Sequence, residues 1–225
     1  MNKPVYYNQY NSAWADIPYP ALGYESATIK TSGCGPTCFA MVHATFQDKS
    51  FTPVESCKLA QNLQDRVSGG TEDEFFQHVA AKFGYEFLET SDLSTAIKEM
   101  QNGKLVICKM QDWFKPGSGH FILAWGVSNG KIQINDPAST SYTDMLWDQS
   151  VFKQKGQRYF IFGKNGPKKD YEQIIETVSS GAAEQWKKAI ETAVNAAKAD
   201  GNLGDLEIFK FLPELIVKIW NSREV

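Results

Sequence analysis

The spacing of apolar residues changes near the middle of the chain, and this change limits the folds that are open to it. From about residue 36 to about residue 103 the apolar residues recur with the three- and four-residue spacing of amphipathic helices. From Leu105 onward they form short runs of strand type, and Asn129-Gly130 is a strong hairpin signal between two of these runs. Helices followed by an antiparallel sheet indicate an α+β fold rather than a doubly wound parallel sheet.

Residues 1–33 show no sustained period and are interpreted as an irregular arm. The predicted helices begin at or near Pro36, Thr52, Thr71 and Leu93. Thr52 and Thr71 each open a capping box, and Gly84 is expected to end the helix that Thr71 opens. The predicted strands cover residues 105–110, 120–127, 131–136 and 158–162.

The C-terminal quarter of the chain differs from the rest. Residues 164–170 combine Lys, Asn, Gly and Pro, a composition typical of a linker. Beyond them the apolar residues recur at helical spacing, for example from Trp186 to Ala197. We therefore expect one domain over residues 1–165 and a small all-helical domain or extension over residues 170–225. The second segment is a candidate for cell-wall binding or self-association.

Composition excludes several classes of partner. The net charge of −3 gives no electrostatic reason to expect nucleic acid or an anionic membrane as a partner. No segment approaches the roughly 20 apolar residues that span a bilayer, and the N-terminus lacks the apolar core of a secretory signal. The four cysteines have no spacing that suggests a disulfide framework. We expect synthesis in the cytoplasm with reduced thiols, while export by another route stays open.

Cys34 is the candidate nucleophile. It lies just ahead of a predicted helix, where unpaired backbone N–H groups and the helix dipole favour a thiolate. Glycines on both sides permit a tight turn and let a substrate backbone come close. The segment alone is equally consistent with a cysteine at a glycine-rich turn that has no reactive role.

A cysteine nucleophile needs a base, usually His, and the base needs an orienting carboxylate or amide. Of the three histidines, His43 and His78 lie inside predicted helices and are expected to be structural or solvent-facing. His120 opens a strand after a glycine-rich loop. In a hairpin that turns at Asn129-Gly130, His120 and Asp136 are expected to be nearly level across the two strands. This pairing would supply both the base and the group that orients it.

Four short motifs occur in a fixed order along the chain. They are Asn8-Gln9-Tyr10-Asn11-Ser12-Ala13-Trp14-Ala15, Ser32-Gly33-Cys34-Gly35-Pro36-Thr37, Gly119-His120-Phe121-Ile122-Leu123-Ala124 and Ile134-Asn135-Asp136-Pro137. The ordered set, over roughly residues 5–163, resembles the double-glycine-leader (bacteriocin-processing) peptidase-like family, the thirty-ninth family of cysteine peptidases in the papain superfamily. It is most similar to the stand-alone branch, which lacks the transporter. The resemblance implies a papain-like fold with N-terminal helices packed on an antiparallel sheet.

The resemblance also implies a role for each matching residue. Cys34 corresponds to the nucleophile, His120 to the general base and Asp136 to the group that orients the imidazole. Gln9 matches the glutamine that forms an oxyanion hole together with the backbone N–H of Cys34. An amide donor aimed at the developing oxyanion is what acyl transfer requires. The alternative for Gln9 is a polar surface residue in a loop.

No cofactor or metal is expected. Cys34 and Cys38 form a Cys-x-x-x-Cys pair, but no third and fourth ligand has suitable spacing, and a helical cysteine among apolar residues is usually core. Cys57 and Cys108 are also expected to be buried. The segment that begins at Asp200 starts like a calcium loop but lacks the glycine and glutamate that such a loop requires at its sixth and twelfth positions.

Three functions are compatible with these observations. The first is a cysteine peptidase or amidase that cleaves bacterial cell-wall peptide bonds, such as a phage-type endolysin released to the wall on lysis. The second is a processing peptidase that cuts peptides after small residues, although the chain lacks the membrane and nucleotide-binding parts that usually accompany that role. The third is a peptidase-like binding module with an idle site. Peptidoglycan or a peptide is accordingly the expected partner.

Overall fold

The computed structural model describes residues 3–164 of the chain. The helical segment predicted over residues 170–225 lies outside the described residues, and so does the domain boundary at residue 165. Both therefore stay predictions. The structural findings below concern the predicted peptidase-like part.

Short helices alternate with strands in the first half of this region, and strands predominate in the second. The helices are α1 (Ile29–Ser32), α2 (Cys34–Phe46), α3 (Pro53–Asn62), α4 (Glu74–Phe83), α5 (Leu93–Gln101), α6 (Thr140–Thr143) and α7 (Gln149–Lys155). The strands are β1 (Arg66–Val67), β2 (Gly70–Thr71), β3 (Glu86–Thr90), β4 (Leu105–Gln111), β5 (Gly119–Ser128), β6 (Lys131–Asn135), β7 (Leu146–Asp148) and β8 (Gly156–Gly163).

A six-stranded antiparallel sheet forms the centre of this part of the molecule, in the order β3-β8-β4-β5-β6-β7. Helix α2 packs on β5, and β1 and β2 form a separate two-stranded hairpin. The predicted α+β class with helices packed on an antiparallel sheet is therefore confirmed. The four predicted strands correspond to β4, β5, β6 and β8.

The local signals explain most of the helix boundaries. Thr52 caps α3 with the predicted capping box, and Pro53 is its first residue. Gly84 ends α4 with a φ of 70°, a left-handed conformation that glycine adopts without strain. The capping box predicted at Thr71 is wrong, because α4 begins at Glu74 with Asp73 as its N-cap.

The β1–β2 hairpin is the reason that Thr71 is not a helix cap. The Arg66 guanidinium donates hydrogen bonds to the carbonyls of Val67 and Gly70 and so closes the turn between the two strands. Thr71 then pairs with Arg66 in the hairpin, and its hydroxyl lies 3.3 Å from that of Tyr19. These tertiary contacts override the local preference for a helix start.

Two edge strands were not predicted. Strand β3 contains Glu86, Glu89 and Thr90 and is only partly buried, while β7 has three residues. Edge strands are often short and polar because such residues discourage pairing with other chains. Neither strand therefore produces the apolar run by which a buried strand is recognised.

The sheet has an apolar cluster on each face. One cluster contains Phe121, Leu123 and Phe160 from the sheet and packs against α2 and α4. The other contains Ile122 and Ile161 and packs against α5 and α7. Successive side chains of β5 belong alternately to the two clusters, as expected for a strand that is covered on both faces. Among residues 3–164, no helix is long and apolar enough to cross a membrane.

Phe39 of α2 is the centre of the first cluster. Its side chain is fully buried, and its ring centroid lies 5.8 Å from those of Phe75 and Phe83 and 5.9 Å from that of Phe162. The same residue therefore joins α2 to α4 and to the sheet. This packing holds the helix that begins at Cys34.

Replacement of Phe39 by alanine is expected to lower the free energy of unfolding by about 3–5 kcal/mol, because the substitution leaves a large cavity in a close-packed aromatic cluster. Chemical denaturation of the full chain, followed by circular dichroism, measures this change. Leu22→Ala is the matched control, since Leu22 is 93% exposed and its loss should change stability by no more than about 0.5 kcal/mol. Equal effects of the two substitutions would contradict the assignment of Phe39 to the core.

Candidate active site

Cys34 is the first residue of α2, and the glycines on either side of it lie in tightly packed surroundings. A Cβ atom at Gly33 would lie 2.5 Å from the carbonyl oxygen of Ile29, so no larger residue fits there without movement. A Cβ atom at Gly35 would lie 3.3 Å from both Phe121 and Thr71. Helix α2 is therefore close against the sheet at its first turn. As a residue, Cys34 remains partly exposed, whereas the other three cysteines are buried.

His120 is the second residue of β5 and its side chain is only 7% exposed. Its Nε2 atom lies 2.9 Å from Oδ1 of Asp136. The imidazole also interacts with the thiol of Cys34, and each of the two groups shifts the pKa of the other. Because Asp136 occupies Nε2, we expect Nδ1 to face the thiol. The structure thus brings Cys34, His120 and Asp136 together around one imidazole.

The strand register that joins His120 to Asp136 differs from the predicted one. Leu123 pairs with Asn135, so a continuation of this register places Ile122 opposite Asp136, with His120 two residues further along. The expected level pairing is thus wrong. The two residues meet as diagonal neighbours on one face of the sheet. A symmetric hairpin with its turn at Asn129-Gly130 would place Leu123 opposite Asp136, three residues from His120. The register shift between Ala124 and Gly126 adds one residue to β5, which reduces this offset to two residues and brings both side chains to one face.

Asp136 is completely buried, and its carboxylate is held by several donors. Besides His120, it accepts hydrogen bonds from Nε1 of Trp113 (2.7 Å, to Oδ2) and from the backbone N–H of Ala138 (2.8 Å, to Oδ1). Its own backbone N–H donates to Oγ1 of Thr143 at 2.8 Å. A buried carboxylate with this many partners is fixed in position and has its charge compensated.

Trp113 was not identified from the sequence. It follows β4, is 5% exposed, and its ring centroid lies 4.6 Å from that of Trp147. A buried tryptophan usually finds an acceptor for its indole N–H. This requirement for an acceptor is the one signal that the sequence offers for Trp113. It does not show that the acceptor is Asp136, which lies 23 residues later.

The pKa values of Cys34 and His120 shift in opposite directions from their usual values. Burial alone would raise the pKa of the Cys34 thiol, but the hydrogen bond and positive charge of His120, together with the backbone N–H groups of Phe121 and Gly35, lower it below its usual 9.0. Burial would lower the pKa of His120, but its bonds to Asp136 and Cys34 raise it to about 9. Both shifts favour a thiolate–imidazolium pair over the neutral thiol and imidazole.

The other three cysteines have the opposite environment. Cys38, Cys57 and Cys108 are buried, as predicted, and burial raises the pKa of each thiol. The proximity of Cys34 raises the pKa values of Cys38 and Cys57 further. Buried neutral thiols of this kind are unreactive. Cys34 is thus distinguished from them by both exposure and charge.

Gln9 is buried between the two segments that carry the other candidate residues. Its backbone N–H donates to the carbonyl of Pro137 (2.7 Å), beside Asp136, and its side-chain Nε2 donates to the carbonyl of Lys30 (2.6 Å), four residues before Cys34. The alternative of a surface residue is wrong, because Gln9 is 4% exposed. One of the two Nε2 hydrogens is used by Lys30, which leaves the other for a further acceptor.

The remaining two histidines lie away from this site. His43 is buried beside Phe51 and Phe83, and its Nδ1 is 2.8 Å from the hydroxyl of Tyr85. His78 is 47% exposed, with Nδ1 3.0 Å from the carboxylate of Asp65. Both have the structural or solvent-facing positions that were expected. Over residues 3–164, no cluster of three or more His, Cys, Asp or Glu side chains could hold a metal ion.

Comparisons with known proteins identify the family of this chain. The model of the Peptidase_C39 like family matches residues 3–167. No curated protein matches the chain. Among solved structures, the peptidase domain of Streptococcus ComA, a bifunctional ABC transporter of a quorum-sensing pathway, is 16% identical with a TM-score of 0.48, covering 59% of this chain and 92% of that domain.

Two other solved structures match a similar share of this chain. A C39-like peptidase from Bacillus anthracis is 16% identical with a TM-score of 0.45, covering 60% of this chain and 90% of its own. A double-glycine-motif protease from an AMS/PCAT transporter, solved with a leader peptide, is 22% identical with a TM-score of 0.40, covering 57% of this chain and 82% of its own. Because the family model spans well over half of the 225 residues, including Gln9, Cys34, His120 and Asp136, the chain belongs to the Peptidase_C39-like family of cysteine peptidases.

Proposed function

We propose that this protein is a cysteine peptidase or amidase that works by acyl transfer, with Cys34 as nucleophile, His120 as general base and acid, and Asp136 as the group that orients the imidazole. The observation that carries the proposal is that the buried carboxylate of Asp136 holds an imidazole, that of His120, which also interacts with the thiol of the partly exposed residue Cys34. A structural cysteine would not need a base that is itself oriented by a buried carboxylate.

The reaction follows from the charges of the site. The Cys34 thiolate attacks the carbonyl carbon of the scissile bond, and the carbonyl oxygen becomes an oxyanion. The His120 imidazolium then gives its Nδ1 proton to the leaving nitrogen, the C–N bond breaks, and a thioester remains on Cys34. His120, now neutral, removes a proton from water, which attacks the thioester and releases the acid and the Cys34 sulfur.

The oxyanion requires donors that are present before the reaction begins. The backbone N–H of Cys34 is at the N-terminus of α2, a helix of 13 residues whose dipole favours negative charge at that end. The second hydrogen of Gln9 Nε2 is the other candidate donor, because Lys30 already accepts the first. We assign these two groups to the oxyanion hole.

Family membership supports a peptide or peptide-like substrate, and the related transporter protease was solved with a leader peptide. The cell-wall substrate stays a prediction based on the sequence, as does release to the wall on lysis. Processing of peptides after small residues is the alternative. The idle binding module is disfavoured because His120 interacts with both Asp136 and Cys34, as a working site requires.

Selective alkylation tests the nucleophile. At pH 7, iodoacetamide should label Cys34 about tenfold or more faster than Cys38, Cys57 or Cys108, because only Cys34 is a partly exposed thiol with a lowered pKa. Peptide mass mapping of the native protein over time measures the four rates. His120→Ala should slow the labelling of Cys34, since the positive partner of the thiolate is lost.

His78→Ala is the matched control for the histidine substitution, because His78 pairs with Asp65 away from Cys34. It should leave the labelling rate of Cys34 unchanged. Labelling of all four cysteines at one rate would show that Cys34 is not activated and would remove the proposed nucleophile.

The pH profile tests the role of His120. Hydrolysis should rise with pH as Cys34 loses its proton, at a pKa below 9.0, and fall again near pH 9 as His120 loses the proton that the leaving nitrogen needs. The measurement is kcat/KM against pH for a peptide p-nitroanilide that the protein cleaves. A p-nitrophenyl ester of the same acyl group is the control, because its leaving group departs as a stable anion without protonation.

The alkaline fall should therefore be present with the anilide and weak or absent with the ester. An equal alkaline fall with both substrates would indicate that the loss reflects unfolding or another group, and would contradict the assignment of His120 as the proton donor.

Zymography tests the substrate class. Wild-type protein in a gel that contains bacterial cell walls should clear them if the cell-wall prediction is right, and Cys34→Ala should not. Incubation of both proteins with a peptide carrying a small residue before the scissile bond, analysed by mass spectrometry, tests the processing alternative. Clearing that survives Cys34→Ala would contradict a cysteine-dependent cell-wall activity, and peptide cleavage without clearing would favour the processing function.

A further inference from the structure

Phe114 lies against His120 and is nevertheless exposed. Its ring centroid is 5.0 Å from that of the imidazole, at an interplanar angle of 54°. On another side its ring is stacked on Tyr142, with centroids 5.4 Å apart. The side chain remains 47% exposed, although most large apolar side chains in this part of the chain are buried. Phe114 therefore offers an apolar surface to solvent beside the proposed proton donor.

The loop that carries Phe114 is held in place by hydrogen bonds. Oδ1 of Asp112 accepts from the backbone N–H of Gly117 (2.6 Å), and the backbone N–H of Asp112 donates to the carbonyl of Ser118 (2.8 Å). Nζ of Lys155 donates to the carbonyl of Asp112 at 2.7 Å. A surface that is ordered before binding loses little conformational entropy when it is covered.

The proposed reaction determines which part of the substrate meets Phe114. His120 must deliver its proton to the leaving nitrogen, so the residue that follows the scissile bond has to lie beside the imidazole. Phe114 contacts the same imidazole. The side chain of the residue after the scissile bond is thus brought next to the exposed part of the Phe114 ring.

We infer that Phe114, backed by Tyr142, forms a subsite for an apolar or aromatic side chain on the leaving-group side of the scissile bond, and so selects the substrate at that position. This inference rests on the proposed cysteine-peptidase function. Aromatic rings contact one another favourably in offset or edge-to-face arrangements, and burial of the exposed part of Phe114 adds an apolar contribution.

Partitioning of the acyl-enzyme tests the subsite without knowledge of the natural substrate. An N-acylglycine p-nitrophenyl ester acylates Cys34 with release of p-nitrophenol, and the thioester is then offered water together with either phenylalanine amide or glycine amide. The amine attacks the thioester carbonyl, the C–S bond breaks, and the proton of the amine passes through His120 to the sulfur. Chromatography gives the ratio of amide product to acid product, which does not depend on the rate of acylation.

For the wild type, phenylalanine amide should give a ratio about 5- to 10-fold higher than glycine amide, the size expected when part of an aromatic ring is covered. Phe114→Ala should reduce this preference to about 2-fold or less, and Phe114→Leu should retain most of it because an apolar contact remains. Leu22→Ala, which removes an exposed apolar side chain from a loop in the N-terminal arm, should not alter it.

The outcomes separate the two proposals. Absence of enzyme-dependent p-nitrophenol release in the wild type, or release that persists in Cys34→Ala, would contradict the proposed function itself. Cys34-dependent release with the same preference in wild type and Phe114→Ala would overturn the subsite while the function stands. An equal loss of both aminolysis ratios in Phe114→Ala would also overturn it, because Phe114 would then only position His120.

Discussion

The buried carboxylate of Asp136 is the group on which the site depends. It has no exposed surface, and a buried charge is tolerated only when it is paired and hydrogen-bonded. Its partners come from separate parts of the chain: His120 from β5, Trp113 from the loop after β4, and Ala138 from the segment after β6. Loss of one partner would leave the carboxylate undercompensated, so the sheet and the site have to form together.

The backbone around Asp136 is held from the N-terminal arm as well. The hydroxyl of Tyr6 donates to the carbonyl of Asp136 (3.0 Å), and the backbone N–H of Gln9 donates to that of Pro137 (2.7 Å). The arm, which has no regular secondary structure before α1, is therefore fixed to the end of β6. This contact explains how a residue as early as Gln9 is brought to the segment that precedes Cys34.

Sequence patterns were sufficient where one local cause determines the structure. The helix after Thr52, the glycine that ends α4, and the strands around Asn129-Gly130 each follow from a capping residue, a left-handed glycine or an apolar run. Tertiary contacts cannot be recognised from such local patterns. Thr71 forms a hairpin with Arg66 where a helix start was predicted, and the extra residue in β5 makes His120 a diagonal neighbour of Asp136. The indole of Trp113 could not be assigned to Asp136, since nothing local specifies that acceptor.

The imidazole of His120 is bounded on three sides by groups with different tasks. Asp136 holds Nε2, the thiol of Cys34 interacts with the imidazole, and the ring of Phe114 lies beside it with centroids 5.0 Å apart. Phe114 is 47% exposed, whereas its neighbour Trp113 is only 5% exposed. One residue therefore supports the carboxylate from inside, while the next faces the substrate from outside. Because both belong to one hydrogen-bonded loop, a substitution that moves this loop should alter the choice of leaving group and the orientation of Asp136 together, whereas Phe114 itself can change with the support of Asp136 intact.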